Sequence, residues 1–138
     1  MSSPEGRLGE DRIFEPDSGQ VFVFGSNEAG IHGAGAARYA YKKLQARLHV
    51  GEGSMPDWTN PACYAIPTKD DRLSTLGLDR IATYVNRFIE YATSRPALTF
   101  FVTRIGCGLA GYADKDIAPM FKGAPKNCIM PYGWEEFQ

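Results

Sequence analysis

Two stretches of the chain place glycines where chemistry at a phosphate would want them. In VFVFGSNEAGIHGAGAARYAYKKL, residues 21–44, an apolar run leads into Gly25, Gly30, Gly33 and Gly35, and a helical pattern follows at once. In RIGCGLAGYADKDI, residues 104–117, Gly106, Gly108 and Gly111 follow a second apolar run. Glycine accepts positive φ and lets main-chain N–H groups come close to a ligand. A helix N-terminus adds aligned donors and a partial positive charge. Each stretch can therefore cradle an anion, the alternative being a tight strand-to-helix turn lined with small residues for close packing. Two such loops at two strand ends favour a phosphate or diphosphate site.

The better-known nucleotide loops do not fit. A P-loop needs a lysine straight after its second glycine, and Gly25-xxxx-Gly30 is followed by Ile31 and His32. Gly106, Gly108 and Gly111 spell GxGxxG, but a dinucleotide fold then requires a long helix, a further strand and an acid about 20 residues on. Residues 126–132 contain no acid, and nicotinamide-dependent hydride transfer is excluded on that ground.

Several side chains near the loops have chemical uses. His32, inside the first loop, can donate to a phosphate or act as a general acid; it can equally be a turn residue. Lys69 becomes a nucleophile if desolvation lowers its pKa, while Asp70 and Asp71 beside it favour the charged, unreactive form. Cys107 sits between two glycines at a helix start, where a thiol pKa can fall, yet no base lies near it in sequence. Asp114 precedes a short helix and reads as its N-cap, with a chemical role as the alternative. Trp58 and Tyr112 are candidates for stacking on a base. Arg38, Lys42 and Lys43 read as a solvated helix face.

Composition narrows the partners. Fifteen Lys and Arg against sixteen Asp and Glu leave a net charge of −1, which argues against a surface tracking duplex nucleic acid. No CxxC pair and no spaced His ligands suggest a metal, and no cofactor is implied. Cys63 and Cys128 lie in apolar runs and read as core residues. Three thiols without a disulfide framework point to a reducing cytoplasm. No apolar run reaches the ~18 residues of a membrane span, and the polar start, MSSPEGRLGEDR, lacks a signal-peptide core.

The elements that must position these residues alternate between strand and helix. Residues 1–20 read as an N-terminal arm, with Ile13 and Phe14 pinned to the body; residues 21–138 read as one domain. Strands are expected at 21–24, 63–66, 98–105 and 127–130. Helices are expected at 33–47 and, from the spacing of Leu78, Ile81, Val85, Phe88, Ile89 and Ala92, at 78–93. A short helix follows the second glycine loop, and a last helical turn covers 132–137. Residues 51–62, GEGSMPDWTNPA, read as a long loop able to act as a lid. Alternation of this kind predicts an α/β fold with a mostly parallel sheet, helices on both faces, and a ligand at the carboxyl ends of the strands.

VFGSNEAGIHGAGAA resembles the first ligand loop of macro domains, where a strand ends in Asn and a glycine-rich turn opens a helix. RIGCGLAGY resembles the second macro loop, especially in the branch containing the terminal ADP-ribose protein glycohydrolase. YAIPTKD is similar to a strand ending in Thr-Lys in that branch, and the three motifs keep their order across residues 21–130. The resemblance implies a three-layer α/β/α fold and ADP-ribose or a related nucleotide as ligand. By that resemblance Asn27 faces the distal ribose. Gly33 and Gly35 line the diphosphate and that ribose, and Gly106, Cys107, Gly108 and Leu109 wrap the diphosphate from the other side; Ala34, Ala36, Ala110, Gly111 and Tyr112 are the further ligand-binding candidates. Lys69 matches a lysine that forms a covalent sugar intermediate, and His32 and Asp114 are the further catalytic candidates. Ala37 and Ala110 stand where hydrolytic relatives carry acids, and Asp17 or Asp114 would have to replace the acid that reads adenine. The resemblance leaves two functions: hydrolysis of an ADP-ribosyl or ADP-ribose-phosphate linkage, and non-catalytic reading or scavenging of an ADP-ribose-type nucleotide.

Overall fold

In the computed structural model, which describes residues 16–17 and 19–137, five strands form one mixed, mostly parallel sheet. The strands are β1 (Gln20–Asn27), β2 (Gly53–Met55), β3 (Cys63–Lys69), β4 (Thr99–Val102) and β5 (Cys128–Ile129), in the order β2-β3-β1-β4-β5. β1 pairs in parallel with β3 and β4, and β4 with β5; β2 alone runs antiparallel, against β3. The helices are α1 (Gly35–Lys43), α2 (Leu78–Thr93) and α3 (Asp114–Ile117), with 3-10 turns at Ala118–Phe121 and Trp134–Phe137.

Alternation along the strands divides the core between the two faces. Val21 and Val23, Tyr64 and Ile66, and Phe100 and Val102 join Ile81, Val85, Phe88 and Ala92 of α2. Phe22 and Phe24, Cys63 and Ala65, and Phe101 turn the other way, to Ala37 and Ala40 of α1. The α1 face is small, so the sheet side supplies the bulk: Phe22 lies 6.1 Å from both Phe24 and Phe101. On the α2 face, Phe88 meets Tyr64 at 5.0 Å and Phe100 at 5.3 Å, edge to face. The extent of α2 matches its apolar spacing, and Pro96 shortly beyond it bars continuation.

Three boundaries differ from expectation, each for a local reason. α1 ends at Lys43 rather than near residue 47, because Gln45 takes φ 66° and the turn swings Ala46 into the core. The N–H groups of Leu44 and Ala46 both return to the Ala40 carbonyl. β1 runs three residues past its apolar run, to Asn27. The β1–β3 register slips between Ser26 and Asn27, which face Pro67 and Lys69, so Thr68 is the extra residue next to a proline that has no N–H to give. β4 stops at Val102, where Thr103 Oγ1 donates to the Val23 carbonyl at 2.8 Å.

Residues 51–62 do not form a lid. They contain β2, and Trp58 beyond it lies on the C-terminal end of α2, 4.4 Å from the Tyr91 ring, with the Arg95 guanidinium 5.3 Å over its face. Tyr91 Oη donates to the Trp58 carbonyl at 2.7 Å. Because α2 runs against the parallel strands, this end lies away from their carboxyl ends. Ile13 and Phe14 fall outside the described residues. Among the described residues, no helix is long and apolar enough to cross a membrane.

Candidate functional site

The carboxyl ends of β1, β3 and β4 open into a cavity of about 650 Å³. Its wall is built from three segments: Gly25–Asn27 with Ile31 and residues 33–37 after β1, Thr68, Lys69 and Leu73 after β3, and residues 103–106 with 108–110 after β4. The two glycine loops meet at its floor, where a Cβ on Gly25 would lie 3.7 Å from the Gly106 nitrogen.

The first loop is bolted in place. Asn27 Nδ2 donates to the Ile31 carbonyl at 2.7 Å, and its Oδ1 accepts the Ile31 N–H at 2.9 Å. The side chain expected to face a ribose therefore clips its own loop, although Asn27 does reach the cavity wall. Gly30 at φ 71° lets its backbone press on residues 49 and 50, and its carbonyl accepts the His49 N–H at 2.8 Å. Ser26 Oγ donates to the Gly51 carbonyl. His32 lies beneath this loop and off the cavity wall: it is buried, its Nε2–H donates to the Arg47 carbonyl at 2.8 Å, and Phe24 meets its ring edge-on at 5.6 Å.

Beyond that loop α1 begins without a cap. Its N-cap is Ala34, no side chain bonds there, and no acid stands in the first turn. The N–H groups of Gly35, Ala36 and Ala37 precede the first intrahelical acceptor pair, Arg38 N–H to the Ala34 carbonyl, so the positive end of the helix dipole faces the cavity these residues line.

The second loop turns on Gly106, φ 78°, whose N–H side meets the first loop while a Cβ there would stand 3.1 Å from Ile117. Gly108, Leu109 and Ala110 face the cavity; Cys107, Gly111 and Tyr112 do not. Burial, with Asp114 beside it, pushes the Cys107 thiol up to about 12, and Sγ–H donates to the Ile105 carbonyl. It packs against the core and off the cavity wall. Tyr112 Oη donates to the Leu76 carbonyl at 2.7 Å, which holds its ring to the core instead of to a base.

Asp114 also stands off the cavity wall, and it is not an N-cap. The cap position is Ala113, whose N–H bonds Asp116 Oδ2 at 3.0 Å. One oxygen of Asp114, Oδ1, accepts from Arg104 Nε at 2.9 Å, Arg104 Nη2 at 2.8 Å and Trp134 Nε1 at 2.9 Å. Burial opposes its charge, but the Trp134 and Arg104 hydrogen bonds outweigh it and hold the carboxyl below its ordinary range. Asp17, the other candidate for an adenine-reading acid, is exposed and bonds Gln20 Oε1 through its own N–H; it does not reach the cavity.

Lys69 ends β3 on the wall, as the nucleophile hypothesis requires. Its neighbour Asp70 is turned into a tight loop, accepting the Ser74 and Arg72 N–H groups, which hold its carboxyl low. The wall residues not singled out individually from the sequence include Thr68, Leu73, Thr103 and Arg104. Three of them sit at strand carboxyl ends, the position where parallel sheets bind ligands, and that rule alone would have found them. Leu73, at φ 66°, carries no such signal. Lys69 and Arg104 are the only ionisable residues on the wall among those described, and both are basic. Among the described residues, no group of three His, Cys, Asp or Glu side chains is placed to hold a metal.

One ion cluster braces the first loop from outside. Glu28 Oε2 accepts from Tyr84 Oη at 2.6 Å and from Arg80 Nη2 at 2.7 Å. The Tyr84 bond and then Arg80 lower the Glu28 carboxyl from its usual range. A depressed carboxylate contributes stability that is present above its unfolded value, about 4.3 for Glu, and is lost as pH falls through the lower folded value. Glu28→Gln should therefore lower the thermal midpoint at pH 7 and leave it close to the parent's at pH 2–3. Parallel midpoint-against-pH curves for the two proteins would refute the assignment. Comparison with protein-family models, with curated proteins and with solved structures gives no match for the chain.

Proposed function

We propose that the chain is a macro-type domain that binds ADP-ribose or a related nucleotide diphosphate and acts as a reader or scavenger of it. The observation carrying this is the convergence of two glycine loops and the uncapped start of α1 on one cavity whose only ionisable wall residues, among those described, are Lys69 and Arg104. A diphosphate takes the main-chain donors and needs no acid beside it. The mostly parallel sheet with apolar packing on both faces supports the macro-type arrangement. Binding without turnover is favoured because, among the described residues, no carboxylate or imidazole lines the cavity, and Ala37 and Ala110 both do. General acid–base hydrolysis needs such a group within hydrogen-bond reach.

Lys69 on the wall keeps one hydrolytic route as the second reading: its neutral amine displaces the group bonded to the sugar carbon, the amine proton passes to that leaving group, and water then releases the sugar from the lysine. Calorimetry with ADP-ribose tests the first reading, and borohydride trapping separates the second. Saturable one-site binding with no trapped adduct is expected. An adduct that forms on the parent and not on Lys69→Ala would make the protein a glycohydrolase instead. Affinity should change by less than about fivefold between 50 and 200 mM salt, since fixed N–H dipoles in a partly enclosed site are weakly screened. A steep salt slope together with tight duplex binding would mark a nucleic-acid surface.

A further inference from the structure

From the cavity wall inward, a chain of three side chains connects the site to the C-terminal segment. Arg104 lines the cavity, Asp114 holds two of its nitrogens, and Trp134 donates to the same carboxylate oxygen. Trp134 is fully buried and packs 5.5 Å from Phe121, so the far end of the chain is anchored in the core. A guanidinium bound at two nitrogens by a carboxylate that is itself tied to a buried Trp134 is restrained towards one orientation. Its plane and charge are set before any ligand arrives, which removes an ordering cost from binding. A carboxylate 2.8 Å away also subtracts charge from the wall. Two effects of opposite sign therefore compete: fixing the guanidinium raises affinity for an anion, and the neighbouring charge lowers it. A partly buried charge-assisted hydrogen bond depends steeply on geometry; the field of a second charge is softened by the half-open site. Orientation should win.

We infer that Arg104 is the specificity-determining residue through which this cavity selects anionic ligands, and that Asp114 and Trp134 are its positioning residues. The inference rests on the reading of the cavity as a diphosphate site. It also gives Asp114 a role that needs no proton transfer: the carboxylate stays ionised and off the ligand.

The test is a double-mutant cycle read by calorimetry, with ADP-ribose, inorganic pyrophosphate and uncharged adenosine as probes. Arg104→Gln should weaken ADP-ribose and pyrophosphate at least tenfold, leave adenosine within about twofold, and flatten the salt dependence. Arg104→Lys should remain at least fivefold weaker than the parent, because an ammonium keeps the charge but not the planar fork. Trp134→Phe keeps an aromatic ring against Phe121 and removes only the N–H donor. It should cost about threefold in ADP-ribose affinity when Arg104 is present and nothing further when Arg104 is already Gln, the non-additivity expected of one linked unit. Should Trp134→Phe fail to fold, Asp114→Asn takes its place in the cycle, with a loss of affinity expected. A gain would show that charge outweighs orientation and would overturn the positioning role. Additive losses, or equal losses for adenosine, would reduce the three residues to structural support and also overturn it. If the parent binds neither ADP-ribose nor pyrophosphate, the diphosphate reading and this inference fall together; if the parent binds and Arg104→Gln matches it, only this inference falls.

Discussion

Gly33→Val should abolish ADP-ribose binding, weakening it at least 100-fold, while the thermal midpoint stays within about 2 °C of the parent's. Gly33 is exposed on the cavity wall, and a Cβ placed there meets no atom within 4 Å, so the folded chain tolerates the side chain. The space it enters adjoins the uncapped start of α1, where the diphosphate would take its main-chain donors. A loss of 100-fold corresponds to about 2.7 kcal/mol, comparable to one or two charge-assisted hydrogen bonds. Gly35 is a poorer place for the same experiment: its φ of 58° would strain a valine whatever the ligand did. Gly123→Val, away from the cavity and equally unhindered, serves as the control and should bind as the parent does. Parent-like affinity in Gly33→Val would remove the first loop from the binding site.

Gly30→Ala should be the most damaging single change to the fold outside the core. Its Cβ would stand 2.3 Å from the Val50 nitrogen and 2.4 Å from the His49 carbonyl carbon, at a φ of 71°. Both contacts are backbone, so no side chain can rotate away. Left-handed strain and overpacking each cost on the order of 1–3 kcal/mol, and their sum, about 3 kcal/mol or more, should lower the midpoint by about 10 °C. The damage should extend to the site, because the same loop carries the Asn27–Ile31 clip and the His32–Arg47 bond. Gly133→Ala meets open space at φ 90° and isolates the strain alone, at about 1 kcal/mol. Equal midpoints for the two variants would show that residues 49–50 yield to the first loop, contrary to the close packing described.

Much of the scaffold was legible because its signals are local. The apolar spacing of α2 marks both of its ends, and the strand-to-glycine transitions locate the two loops that form the cavity. What stayed hidden depends on partners distant in the chain. Trp58 is attractive as a base-stacking residue until Tyr91 and Arg95, more than thirty residues on, claim its ring. His32 lies inside a glycine loop yet turns to Arg47, and Asp114 looks like a cap or an acid until Arg104 and Trp134 converge on it. β2 escaped notice because Gly-Ser-Met has neither length nor alternation, and only pairing with Tyr64 and its neighbours makes it a strand. Arg104, the residue on which the further inference turns, stood in the quoted motif throughout. Its placement on the wall follows from β4 stopping at Val102, an event set by the Thr103 side chain rather than by hydropathy.

The two outermost strands are three and two residues long, and one of them runs against the rest of the sheet. A strand arriving from another molecule would find few unpaired main-chain groups to bond at either border. Self-association by sheet extension is thereby limited by geometry, without any appeal to charged gatekeepers along the borders. A protein with a net charge of only −1 has little colloidal repulsion to keep its copies apart, so these short borders should be its main protection against fibrillar growth during concentration near neutral pH.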